Sequence, residues 1–319
     1  MKKVIAVVVV VVVVGMIIFT AKSKPAENYV VKVGYLQIMA SKLPFQIAAE
    51  KGFFEEEGVV IKATELQSSN LLLDAMLRGD IDITPEISLF PYMTAELTAP
   101  GKMQIFSVTD LTKEEPFDSL LVKQDSNIHS LTELPGKKIG VPPGTTSTNL
   151  LTLFLESKGV DTTNIQFIQL APALQLQGLS AGSIDVLFAY DPLIAIGTKS
   201  QNMRVLYGSA WAELVDHNPL GGGLLTKAFV DNHPEAARRA VNAINKAYDF
   251  IETNPDETRQ IMAKTFNLTD PNIINAVSLP KNKYLDDIDM TLLERLMTIL
   301  VEAGELTKKP DLTKALYQP

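Results

Sequence analysis

The order strand, helix, strand, helix, strand occurs twice in this chain, about a hundred residues apart. In the first occurrence Val33-Gly34-Tyr35-Leu36 reads as a strand, Pro44 to Phe54 as a helix and Val59-Val60-Ile61-Lys62-Ala63 as a second strand. The polar group Gln67-Ser68-Ser69-Asn70 opens a helix carrying apolar Leu71, Leu72, Ala75 and Met76. Gly79 stops it, because glycine takes the left-handed conformation of a helix terminus at no steric cost, and Ile81-Asp82-Ile83 follows as a third strand. In the second occurrence come Lys138-Ile139-Gly140-Val141, a loop through Gly144, a helix near Ser147 to Ser157, and Ile165-Gln166-Phe167-Ile168. A helix from about Ala173 then ends at Gly182 and leads to Ile184-Asp185-Val186-Leu187, with the one-residue gap between glycine and isoleucine preserved. Alternating strands and helices predict open, mostly parallel sheets covered by helices, and the repetition predicts two lobes of like architecture.

Asp118-Ser119-Leu120-Leu121-Val122, between the units, and Gly221-Gly222-Gly223-Leu224-Leu225-Thr226, after them, read as two crossings between lobes. From Pro234 the chain turns helical: Ala237, Val241, Ile244, Tyr248 and Ile251 share one face. Asn254-Pro255 with Glu257 starts a further helix, and Asp289 to Ala303, stopped by Gly304, forms another. These helices bring no second sheet with them, so they are expected to pack back on the first lobe. The organisation that follows is a discontinuous lobe 1, residues 28–120 plus 222–319, and lobe 2, residues 121–221.

The N-terminus is set apart by composition. Lys2 and Lys3 precede an uncharged run from Val4 to Ala21 that includes eight consecutive valines, Val7 to Val14. This is the layout of an export signal, residues 1–23. The run of 18 residues exceeds the roughly 7–15 of a signal core and falls short of the ~20 that span a bilayer. A signal cleaved near Ala21-Lys22-Ser23 and an uncleaved membrane anchor through residues 4–21 both remain open; either places the body outside the cytoplasm. No cysteine is present, so there is no site for a lipid-modified N-terminal cysteine and no disulfide framework. Without residues 1–23 the body has 26 basic and 37 acidic residues, a net charge of about −11. That acidity argues against nucleic acid and against anionic lipid surfaces.

Catalytic and metal motifs are weak. His129, His217 and His233 are far apart and have no nearby histidine or cysteine, so no metal-ligand spacing appears. Gly178-Leu179-Ser180-Ala181-Gly182 matches G-x-S-x-G, but a helix precedes it and a strand follows, the reverse of a nucleophile elbow, so it is read as a helix C-terminus. No phosphate-loop or dinucleotide fingerprint occurs. No catalytic residue, metal or cofactor is assigned.

What remains is polar chemistry at helix starts. Ser68, Ser69 and Asn70 in one lobe, and Gly144, Thr145, Thr146 and Ser147 after Pro142-Pro143 in the other, stand between a strand and a helix. The first turn of a helix has unpaired N–H groups and a partial positive charge, so it can hold an oxyanion without a basic side chain. N-capping alone accounts for either segment. Their paired occurrence beyond the carboxyl ends of strands, where open sheets bind ligands, favours a joint cradle. Gln37 at the end of the first strand, Glu86 after Ile83-Thr84-Pro85, and Tyr190-Asp191 before Pro192 are expected to reach the same cleft. Glu86 reads either as a partner for a cationic or amino group or as a helix cap; Asp191 reads also as a cap, and Tyr190 as a buried aromatic. Trp211 is expected to serve core or hinge packing.

Several of these segments carry a family resemblance. Val33-Gly34-Tyr35-Leu36-Gln37, Pro44 to Phe54 with Ala49-Glu50-Lys51-Gly52-Phe53-Phe54, Leu77 to Ile83, Leu131 to Val141, Gly144 to Ser147 and Gly182 to Leu193 resemble the nitrate/sulfonate/taurine-type substrate-binding proteins of ABC importers. The resemblance implies a bilobed α/β periplasmic-binding-protein fold of type II, with two crossings as hinge and a ligand between the lobes. It implies a monomer that captures a small-molecule ligand and hands it to an ABC permease with its ATPase subunits, with no cofactor. The sequence departs from anion-binding members in placing Glu86, and no obvious arginine or lysine, at the cleft. The expected ligand is therefore a small anionic or zwitterionic solute such as a sulfonate, taurine or nitrate. A pyrimidine of the thiamine-precursor type and a non-transport enzyme of the same fold are the alternatives.

Overall fold

The structure, a computed structural model, describes residues 29–284 and 288–319. The segment 1–23, read as export signal or anchor, lies outside the described residues. Among the described residues no helix is long and apolar enough to cross a membrane.

The chain begins with β1 (Val30–Leu36), α1 (Met39–Glu50), α2 (Phe53–Glu56), β2 (Val60–Leu66), α3 (Ser69–Leu77), β3 (Ile83–Ser88), α4 (Leu89–Thr98) and β4 (Met103–Thr109). It continues through β5 (Asp118–Lys123), β6 (Lys138–Val141), α5 (Thr145–Ser157), β7 (Gln166–Gln169), α6 (Pro172–Ser180), β8 (Val186–Tyr190), α7 (Leu193–Ser200), β9 (Met203–Gly208) and α8 (Ala210–Leu214). Last come β10 (Gly221–Thr226), α9 (Lys227–Asn232), α10 (Pro234–Thr253), α11 (Pro255–Thr265), α12 (Pro271–Ala276), β11 (Asn282–Tyr284) and α13 (Met290–Glu302).

These strands form two sheets, in the orders β11-β4-β10-β3-β1-β2 and β7-β6-β8-β5-β9. Apart from the edge strand β11 the two orders are the same: β1, β2, β3, β10 and β4 correspond to β6, β7, β8, β5 and β9. In each sheet the first three are parallel and the inserted strand, β10 or β5, runs antiparallel to its neighbours. The internal repeat extends to single residues. Asp82 accepts from the Lys32 N–H at 2.9 Å, and Asp185 accepts from the Lys138 N–H at 2.8 Å, so an aspartate before the third strand pins the first strand in both sheets. Gly79 and Gly182 both take left-handed φ, 78° and 72°, at the ends of α3 and α6. Gly178–Gly182 is thus the end of a helix.

The expected junctions at 120/121 and 221/222 each fall inside a strand. β5 belongs wholly to the second sheet and β10 to the first, and the chain passes between sheets at residues 110–117 and 209–220. Their apolar pattern reflects central strands covered on both faces: all six residues of β10 and five of six in β5 are buried. The helix read from Pro44 starts earlier, at Met39, with Pro44 in its second turn, where the missing N–H forgoes one bond to the carbonyl four residues back. The apolar face of α10 packs on α1 and α2 of the first sheet, burying Ala237, Val241, Ile244, Tyr248 and Ile251, and α11 also packs on α1.

A Cβ on Gly222 would lie 2.4 Å from the carbonyl oxygen of Ser107 in the adjacent strand, an obstacle made of backbone. At Gly140 the obstacle at 2.4 Å is Ile184 Cδ1, the end of a flexible side chain. Gly222→Ala is therefore expected to lower unfolding free energy by about 1–3 kcal/mol, and Gly140→Ala by less, in urea denaturation. Equal losses would contradict this account of β10.

Candidate functional site

The carboxyl ends of β1, β2 and β3 face those of β6, β7 and β8 across a cavity of about 90 Å³. A single water needs about 10–15 Å³ by this kind of measure, so the space fits a small solute. Gln37, Ser68, Ser69, Asn70, Glu86, Gly144, Thr146, Ser147 and Tyr190 line it, as does Gln67.

The polar rim is made by three helix starts. Ser68 caps α3 by accepting from the Leu71 N–H at 3.3 Å, and Ser88 caps α4 by accepting from the Phe90 N–H at 3.3 Å. Ser69 Oγ accepts from the Ser88 N–H at 3.2 Å, so α3 and α4 are locked side by side. The start of α5 meets them from the other sheet. Asn70 Oδ1 accepts from the Thr145 N–H at 3.1 Å, and Thr146 Oγ1 donates to Ser88 Oγ at 3.1 Å. A Cβ on Gly144 would come within 3.1 Å of Asn70 Oδ1, so glycine, at φ 108°, permits the approach. In a first helical turn the leading N–H groups have no intrahelical acceptor, which leaves those of Ser69, Asn70, Thr146 and Ser147 directed out of their helices.

The remaining wall is apolar and aromatic: Leu36, Ile38, Leu111, Phe117, Trp211 and Leu220, with Pro142, Pro143, Pro172 and Pro280. Tyr190 stacks on Phe117 at 5.6 Å, accepts from Trp211 Nε1 at 3.2 Å and pairs with Ser147 Oγ at 3.4 Å. Burial pushes its hydroxyl up to a pKa of about 12.

Glu86 is 4% exposed. Its side chain caps no helix; Ser88 does that for α4. Its backbone carbonyl is held by the hydroxyls of Ser41 at 2.9 Å and Thr84 at 3.1 Å. Burial pushes the carboxyl well above the usual carboxylate range, with the nearby Asn282 side chain acting the other way. No hydrogen bond closes between them, since Glu86 Oε2 and Asn282 Nδ2 are both buried without partners.

Two expected residues do not line the cavity. Asp191 faces a neighbouring pocket, and its oxygens are taken by the N–H groups of Ala195 at 3.2 Å and Ser278 at 2.8 Å. It caps α7 and ties the second sheet's unit to the segment before β11; burial raises its pKa to about 6. Thr145 spends its N–H and its hydroxyl on Asn70. The cavity also gains residues that the sequence reading left out: Ser88, Thr109, Gly221, Phe117 and Lys281, and Trp211, which was assigned to packing alone. Ser88 had a readable signal, a serine after a strand and before an apolar helix. Lys281 stands at the rim and pairs with Glu115 at 2.7 Å, so a lysine does reach the site. Among the described residues no group of three or more metal-ligating side chains is present.

Two open sheets whose strand orders match apart from the edge strand β11, joined by two crossings and facing one another with their carboxyl ends, define the periplasmic-binding-protein fold. The protein-family model described as NMT1/THI5 like matches residues 40–258, and the chain belongs to that family. A chain from Brucella abortus (strain 2308), named as a candidate binding protein, is 26% identical over 253 residues, covering 78% of this chain and 75% of that one. The taurine-binding periplasmic protein of Escherichia coli (strain K12) is 25% identical over 233 residues, covering 72% and 69%. Among solved structures, the alkanesulfonate-binding protein SsuA from Xanthomonas axonopodis pv. citri, bound to MOPS, superposes with a TM-score of 0.75 at 17% identity, covering 92% of this chain and all of that one.

Asp118, at the start of β5, is 1% exposed and accepts from the N–H groups of Ala210 at 2.7 Å and Trp211 at 3.4 Å. Burial raises its pKa from 3.8 to about 7, against the pull of those two bonds. The folded protein thus holds this proton more tightly than the unfolded chain. The resulting stability is complete below about pH 3.8 and is lost as pH rises through about 7. Urea denaturation from about pH 4 to about pH 8 should show this decline in the wild type and a flatter profile in Asp118→Asn; parallel profiles would contradict the assignment.

Proposed function

We propose that this protein is the extracytoplasmic solute-binding component of an ABC importer. It captures a small anionic or zwitterionic solute between two lobes, residues 29–109 with 221–319 and residues 118–208, and delivers it as a monomer to a permease with its ATPase. Residues 1–23 direct export or hold the chain at the membrane. The single observation that carries the reading is the meeting of α3 and α5, one from each sheet, with Ser69, Asn70, Thr146 and Ser147 of their first turns lining one cavity. Each helix start contributes partial positive charge, so an oxyanion bridging them stabilises the closed arrangement of the lobes. The names of the relatives support the class of solute: one binds taurine, and another holds MOPS, a sulfonate that carries an amine. That the relatives are binding proteins supports a role in binding rather than catalysis. The aromatic wall of Phe117, Tyr190 and Trp211 favours a second reading, a pyrimidine lying flat against it.

Titration calorimetry with taurine, ethanesulfonate, nitrate and an aminopyrimidine separates the readings. Thr146→Asp places a carboxylate in the first turn of α5, where the helix itself tolerates or gains from negative charge. Thermal stability is expected to hold, while affinity for the anion bound by the wild type falls at least tenfold, about 1.4 kcal/mol. Unchanged anion affinity would remove that helix start from the site, and tight binding of the aminopyrimidine alone would establish the second reading. Loss of uptake of the bound solute on deleting the gene tests the transport role.

A further inference from the structure

The carboxyl of Glu86 is the one side chain in the cavity whose placement the fold does not account for. Among the described residues it forms no ion pair, it caps no helix, and Oε2 is buried without a partner. Leaving a buried polar atom unpaired is costly, so such an atom calls for a reason beyond packing. The surrounding chain is shaped to keep it there. A Cβ on Gly221 would fall 1.7 Å from Glu86 Oε1, so the first residue of β10 must be glycine for the carboxyl to lie where it does.

The elements packed around it offer no cation. From α10, Tyr248 gives its hydroxyl hydrogen to the carbonyl of Pro85 and accepts from Ser107 at 3.2 Å. From β4, Thr109 is occupied by the backbone of Gly221. From β11, Asn282 closes no bond to it, and Lys281 just before β11 is paired with Glu115. The α1 side presents Ser41, which holds the Glu86 backbone rather than its carboxyl.

We propose that Glu86 is a specificity-determining residue that receives the amino group of the solute, so that the site selects aminosulfonates over plain sulfonates. The inference rests on the proposed function: the helix starts of α3 and α5 take the anionic end, and Glu86 takes the other. Before binding, burial favours the protonated form of the carboxyl. When an ammonium group enters, its N–H donates to the carboxylate and the carboxyl proton leaves to solvent; no other bond changes. Binding therefore releases up to one proton. Affinity for the amine-bearing solute rises with pH, by up to tenfold per unit while the free carboxyl is protonated and the amine is charged.

The test is titration calorimetry of the wild type with taurine, ethanesulfonate and ethanolamine, each in two buffers of different ionisation enthalpy, repeated on Glu86→Gln and Asn70→Asp. The expected result is taurine binding at least tenfold tighter than ethanesulfonate, with proton release for taurine only, and a ratio near one in Glu86→Gln. Equal affinity for taurine and ethanesulfonate in the wild type, or a ratio unchanged in Glu86→Gln, overturns the role of Glu86 and leaves the anion cradle standing. If ethanolamine binds as tightly as taurine and Asn70→Asp does not weaken taurine, Glu86 keeps its role and the anion cradle falls. No binding of any of the three at millimolar concentration overturns both. The wild-type comparison needs no variant to fold.

Discussion

Each sheet is completed by an antiparallel strand that arrives directly from the other sheet, and the position of everything else follows from that exchange. β5 enters between β8 and β9, and β10 between β3 and β4. The two connecting segments are themselves paired: Leu111 donates to the carbonyl of Asn218 at 3.3 Å, and Asn218 donates back to Leu111 at 2.9 Å. Ser209 donates to the carbonyl of Asp118 at 2.9 Å, so the exit from β9 is fastened to the entry into β5. Because β5 and β10 are central strands, neither sheet is whole without a chain segment that has just crossed the cleft. Leu111, Phe117, Trp211 and Leu220, which line the cavity, lie on the two crossings, and Thr109 and Gly221 flank them. The hinge and the walls of the site are one piece of chain.

That geometry also resolves an electrostatic tension. A body with about 26 basic and 37 acidic residues is a poor field for an anion at long range. The field inside the cavity is set locally, by the first turns of α3, α4 and α5 at short distance and out of bulk water, where partial charges act with little screening. Lys281, the basic side chain at the rim, is paired with Glu115 and adds little net charge. The buried carboxyl of the site is Glu86, whose burial discourages ionisation until a cation reaches it. The lining therefore separates donors on helix starts from an acceptor on a strand, with apolar surface between them.

The parts of this arrangement that the sequence discloses are those governed by local chemistry. The start of α3 follows from the preference of a small polar residue, Ser68, for the cap, and the start of α5 follows Gly144, which caps without a side chain. The matched glycines Gly79 and Gly182 follow from the left-handed turn that ends a helix. What stayed hidden depends on distance through space. Trp211 reads as packing because nothing near it in sequence marks the cleft, yet its indole N–H reaches Tyr190. Asp191 reads as a site residue for its place after a strand, while Ser278, 87 positions away, takes one of its oxygens. The apolar runs at Asp118–Lys123 and Gly221–Thr226 read as connections because their order in the sheets is not written in their periodicity: a strand buried on both faces shows no alternation.

Asn70 occupies a special position among the groups at the cleft. Its side chain grips α5 by accepting from the Thr145 N–H, while its own backbone N–H lies in the first turn of α3. The contacts that cross the cleft here are neutral hydrogen bonds, Asn70 to Thr145 and Thr146 to Ser88, each worth about 0.5–1.5 kcal/mol net. Together with the Ser278 N–H to Asp191 and Asn149 to Glu305 bonds elsewhere between the lobes, these bonds work against the freedom of two lobes joined by two crossings, and each is individually weak. A solute that reaches N–H groups on both α3 and α5 interacts with the closed arrangement and cannot make both sets of contacts when the lobes are apart. Every 1.4 kcal/mol of that difference moves the closed-to-open ratio tenfold, so weak bonds across the cleft make closure sensitive to the solute, where strong ones would make it indifferent.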